Sequence, residues 1–183
     1  MKLKHIFFFI APFLFVCCQC KNKAPETKVA PSQNTSISRD LNETNSHSKS
    51  IFNNKNVEEL FNQYLALKAV LVNSNSEQSK EVANQLALFT EKQFPNSKIV
   101  AIINQIKAQD ELKKQRVYFE DLSKEIASLL ETELQKGIIY KQFCPMAFEG
   151  KGAFWFSNSK EIRNPYYGDE MLTCGYVQKT IEK

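Results

Sequence analysis

Histidine is almost missing from this chain: among 183 residues only His5 and His47 occur, and neither lies in the part patterned for a hydrophobic core, residues 56–183. That absence removes a good deal of chemistry. A structural zinc site in this region would want cysteine and histidine together, and a nucleophilic cysteine would lack the base that usually activates it. The same region has no two cysteines separated by two residues, so a thioredoxin-like active site is excluded as well. Excess positive charge is also missing. The whole chain carries a net +4, but residues 56–183 hold 16 Lys and Arg against 17 Asp and Glu, a net of −1. The domain therefore offers no basic face for a nucleic acid. Long apolar runs are lacking too, and the run from Ile6 to Val16 is too short to span a bilayer as a helix.

What is present begins with that run. Met1 to His5 is a basic lead, and Ile6 to Val16 has the length of a signal-peptide core. Cys17, Cys18 and Cys20 follow at once, the pattern of a bacterial lipoprotein signal in which one cysteine becomes the lipidated N-terminus. Cys17 or Cys18 is the favoured site and Cys20 the reserve. The expected product is exported, anchored in the cell envelope by lipid and facing the periplasm. Residues 21–55 contain fifteen Ser, Thr or Asn in thirty-five positions, a composition that builds no core. This stretch is expected to be a polar tether with an r.m.s. span of about 30 Å.

Residues 56–183 suit one domain. Asn56 followed by Glu59 predicts a helix cap, after which Val57, Leu60, Phe61, Tyr64, Leu67 and Leu71 recur at helical spacing through Val72. A second helix carries Val82, Leu86 and Phe89 and stops before Pro95. A third places Ile99, Ile102, Ile103 and Ile106 on one face and leads toward a fourth, from Leu112 to Lys136, closed by Gly137. The expected fold class is mainly α, an up-and-down bundle of about four helices with a small irregular β and loop cap over 137–183. Glu58, Glu59, Glu120, Asp121, Glu131 and Glu133 are spaced as solvated helix faces. No convergent acid and base pair is visible, and no enzyme is expected.

The candidate site lies in the cap. Cys144 and Cys174 are the only cysteines of the domain, with Met146 two residues after the first and Met171 three before the second. An extended stretch puts Cys144 and Met146 on one side, and a helical turn does the same for Met171 and Cys174. Gly150, Gly152, Pro165 and Gly168 break the intervening segment into turns, which allows its ends to meet. Thiolate and thioether donors are soft and select Cu(I) or silver. Composition alone favours a plainer outcome over the metal: outside the cytoplasm two such cysteines form a disulfide, with the methionines as core filler. The aromatics Phe148, Phe154, Trp155, Phe156, Tyr166, Tyr167 and Tyr176 are expected to pack a small β region onto the helices rather than to form a stacking surface.

The string CPMAFEGKGAFWFSNSKEIRNPYYGDEMLTCG, residues 144–175, resembles the signature of the domain of unknown function 3347 family. Tyr64 to Lys68 and Gln115 to Phe119 resemble that family's helical portion, so that the likeness covers about Val57 to Ile181. Members of this family are exported proteins and lipoproteins, and some are fused to adaptor subunits of copper and silver efflux pumps. The resemblance implies a periplasm-facing helical domain and, through the efflux association, Cu(I) held by Cys144, Met146, Met171 and Cys174, with an efflux adaptor as the partner. One departure stands out, because the family often carries histidine in its helical region and this domain has none.

Overall fold

Apolar positions that recur every three or four residues settle into helices where the caps allow it. A computed structural model describes residues 39–183 of the chain. Helix α1 runs over Lys55–Val72, and its cap is Asn54, whose side chain accepts from the Asn56 amide at 2.8 Å, two residues ahead of the cap expected at Asn56. Helix α2, Ser76–Gln93, starts on the Asn75 side chain in the same way. Helix α3, Lys98–Ala108, ends before the expected fourth helix rather than continuing into it, and α4 spans Leu112–Glu133. Successive helices pack on one another, and α4 also packs on α1. Leu60, Leu67 and Leu71 of α1, Ile103 and Ile106 of α3, and Phe119, Leu122 and Ile126 of α4 fill the core between them.

The fourth helix stops earlier than its pattern predicts. Leu134–Lys136 leaves it as strand β2, which pairs antiparallel with β1, Ile51–Phe52. Gly137 is therefore a strand connector and not a helix end: it takes φ +102°, and a Cβ there would lie 2.1 Å from the Lys49 carbonyl oxygen. The cap is also more regular than expected. Strands β3 (Ile138–Cys144), β4 (Ala153–Ser157) and β5 (Tyr176–Glu182) form an antiparallel sheet in the order β4-β3-β5. Trp155 and Phe156 of β4 are fully buried, so most of the cap's aromatic mass serves the core. One buried contact ties sheet to helices: the Tyr64 hydroxyl lies 2.7 Å from Ser123 Oγ and accepts from the Phe156 amide at 3.1 Å, with the Tyr64 ring stacked 4.9 Å from Phe119.

The expected tether needs correcting along its second half, because residues 39–55 are docked on the domain. Asp40 Oδ1 accepts from Asn73 Nδ2 at 2.7 Å, Asn42 Oδ1 accepts from Lys68 Nζ at 2.7 Å, and the Glu43 carbonyl accepts from Arg163 Nε at 3.0 Å. Ser48 Oγ and Ser50 Oγ both donate to the Ile138 carbonyl. A segment with little apolar surface is held here by hydrogen bonds and a two-residue strand, which composition does not reveal. Met1 to Ser38, with the expected signal, the lipidation candidates Cys17, Cys18 and Cys20 and the first half of the tether, lie outside the described residues. Among the described residues no helix is long and apolar enough to cross a membrane.

Candidate functional site

Strand β3 delivers Cys144 to its last position, fully buried and opposite Ala153. Cys174 arrives from the other end of the cap, thirty residues later, in the loop before β5. The two sulfurs lie 3.3 Å apart as free thiols. Close approach of the backbone makes this meeting possible: at Gly175, φ +140°, a Cβ would sit 2.8 Å from the Phe143 carbonyl oxygen. Only glycine lets the chain lie so near β3 immediately after Cys174.

The methionines are arranged differently from the sulfurs they flank. The expected sharing of a face by Cys144 and Met146 does not occur, because β3 ends at Cys144 and Met146 takes a helical turn conformation, φ −84° and ψ −15°. Cys144 is fully buried whereas Met146 is 53% exposed. Period-two alternation ends where the strand ends. Met171 closes a 3-10 turn, Gly168–Met171, and its carbonyl accepts from the Cys174 amide at 3.0 Å, so these two are joined by the expected local turn.

Past Met146 the backbone is strained. Phe148 and Glu149 both take left-handed conformations, φ 52° and 61°, a costly choice for residues with a Cβ. They form one wall of a cavity of about 540 Å³ whose other walls include Lys113, Arg116, Tyr167 and Glu170. Charges of both signs line it, and no single-sign field results.

Local electrostatics favour the protonated form of the Cys174 thiol. The Cys144 thiol hydrogen-bonded beside it, together with burial, raises the pKa of Cys174, opposed by a hydrogen bond from the Met146 backbone amide. Such a cysteine is not a ready thiolate nucleophile. Burial, and then the nearness of both sulfurs, also pushes the Tyr167 hydroxyl up, so that it remains a donor. That hydroxyl donates to the Met146 carbonyl at 2.7 Å.

Several residues that matter here give no sequence signal. Asn164 is fully buried and donates from Nδ2 to the Cys174 carbonyl at 2.9 Å. Arg116 ties the same loop to the helices, donating from Nε to the Pro165 carbonyl at 2.8 Å and from Nη2 to the Leu71 carbonyl at 3.1 Å. Asn-Pro reads in sequence as a turn, and Arg116 as one exposed charge among many; their long-range partners exist only once the cap is folded.

Comparison with known families finds one match, to a family described as a protein of unknown function (DUF3347), over residues 60–137. Over these residues the chain is similar to this family. The matched residues run from α1 through β2, and they end seven residues before Cys144. The match thus lies on the helical portion and leaves the sulfur segment to be argued from its own geometry. Neither curated proteins nor solved structures give a match.

The donor set can be tested against the metal that the family likeness implies. Two thiols and two thioethers without imidazole suit a soft monovalent ion. Two metal–thiolate bonds of about 2.3 Å at a tetrahedral angle span about 3.8 Å, so the sulfurs at 3.3 Å would have to part by about half an ångström. Among the described residues no group of three or more His, Cys, Asp or Glu gathers to hold a metal, so a third protein donor here would have to be methionine or a backbone group.

Proposed function

We propose that this protein, similar to that family over residues 60–137, binds Cu(I) or Ag(I) through Cys144 and Cys174, with Met146 and Met171 completing the donor set, as a lipid-anchored envelope protein that buffers the ion or passes it to an efflux adaptor. The observation that carries this reading is the 3.3 Å meeting of two thiols from opposite ends of the cap, each with a methionine within three residues. Lipid attachment at Cys17, Cys18 or Cys20 would hold the domain at the membrane surface. The four helices, joined by short connections, are taken as an up-and-down bundle that carries the sulfur cap. No catalytic step is required.

The same distance favours a second reading. Full burial of Cys144 and a separation shorter than a metal bridge requires suit a disulfide, and the domain would then be a stapled interaction module. The deciding experiment is an anaerobic Cu(I) titration of the full chain, reduced, with Cys17, Cys18 and Cys20 changed to Ser, competed against a chelator of known affinity. One-to-one binding that is lost in the Met146→Leu/Met171→Leu variant supports the metal reading. Binding indifferent to the methionines, or none, leaves the disulfide module.

A further inference from the structure

Two segments must be held for the sulfurs to meet: the turn after Cys144, and the loop that carries Cys174. One short element touches both. The run Asn164-Pro165-Tyr166-Tyr167 packs between them, and each end of it bonds one segment. Asn164 Nδ2 donates to the Cys174 carbonyl at 2.9 Å, and the Asn164 amide donates to the Leu172 carbonyl at 2.8 Å. The Tyr167 hydroxyl donates to the Met146 carbonyl at 2.7 Å. The clamp is itself fixed: Asn164 Oδ1 accepts from the Tyr166 amide at 2.8 Å, the Asn164 carbonyl accepts from the Gly168 amide at 3.0 Å, and Arg116 holds the Pro165 carbonyl. Asn164, fully buried, thus has its amide, carbonyl, Oδ1 and Nδ2 all engaged.

We propose that Asn164 and Tyr167 are positioning residues for the sulfur pair, fixing the separation of Cys144 and Cys174 and thereby setting how readily the two thiols are oxidised to a disulfide. This rests on the reading that the two cysteines act as one site. The physical reason is preorganisation: thiols held side by side lose little freedom when they bond, and thiols on loosened segments lose more. In the oxidation the two protein thiols give up two electrons and two protons, one sulfur–sulfur bond forms, and one oxidised glutathione accepts both and leaves as two glutathione thiols.

The test equilibrates the full chain, carrying Ser at positions 17, 18 and 20, with glutathione buffers of graded ratio, and reads the fraction of Cys144–Cys174 disulfide by mass after trapping. Tyr167→Phe removes one hydroxyl and keeps the ring. Asn164→Asp removes the donor to Cys174 and keeps the acceptor for Tyr166. Both are expected to shift the equilibrium toward the dithiol by about tenfold, about 30 mV, with Tm of the reduced Tyr167→Phe chain unchanged. Tyr176→Phe, at an exposed tyrosine two residues from Cys174, should leave the equilibrium where it is. Should Asn164→Asp fail to fold, Tyr167→Phe decides. A parent chain that oxidises while Tyr167→Phe matches it overturns the clamp alone. If the parent forms no disulfide and also binds no Cu(I), the sulfur-site reading and the clamp fall together.

Discussion

Lys68 shows what one residue can cost a fold. It lies on the inner side of α1, 4% exposed, with its ammonium on Asn42 Oδ1 at 2.7 Å. Burial, and then the charge of Arg163, bring its pKa down from 10.5 to about 7, with Asp40 opposing them. The lowered value means that the folded chain holds this proton less tightly than the unfolded one. Below about pH 7 both states are protonated and the fold bears the full cost of the buried charge; stability then rises with pH until about 10.5, where the cost is gone. Replacing Lys68 by Met is expected to raise stability at pH 7 by about 2 kcal/mol and to flatten its rise between pH 7 and 10. Urea denaturation across that range measures both effects.

At the scale of elements, the N-terminal segment and the sheet connector depend on each other. Residues 49–52 lie against Gly137, where an added methyl would meet the Lys49 carbonyl at 2.1 Å and where φ is +102°. Gly137→Ala should therefore destabilise the domain by about 3 kcal/mol, seen as a lower urea midpoint. Limited proteolysis gives an independent reading: cleavage within residues 39–50 is expected to accelerate in this variant, because β1 loses its partner before the helices lose theirs. A variant that resists protease as the parent does would show that the segment is held by Asp40, Asn42 and Glu43 instead.

For the whole molecule the redox state of the cap is the largest single variable. Oxidising Cys144 and Cys174 closes a loop of about thirty residues, worth about 3 to 4 kcal/mol on the chain-entropy model. In a domain of this size that corresponds to a rise in Tm of about 10 °C. Calorimetry of the reduced and oxidised chain reports it directly. An oxidised chain no more stable than the reduced one would mean that closing the bond forces the cap out of shape by a comparable amount.

Much of this protein was legible without coordinates. The helical stripe of α1 and the four isoleucines of α3 predict their helices because a period of three to four residues has one way to bury its apolar side. The burial of Trp155 and Phe156 in a small β region could also be read from the chain, and the turn residues between Cys144 and Cys174 allowed the two to meet. Three features could not. The end of α4 at Glu133 was decided by β1, a partner more than eighty residues away, which draws Leu134–Lys136 into a sheet. The docking of residues 39–55 was decided by hydrogen bonds to Asn73, Lys68, Arg163 and Ile138, none of which leaves a mark in composition. The separation of Met146 from Cys144 was decided by where β3 stops. Periodicity along the chain encodes which side of an element is apolar, and so the sequence determined the elements and the donor chemistry of the cap. Which distant groups satisfy a given amide or carbonyl depends on how those elements pack, and this only the tertiary structure decided.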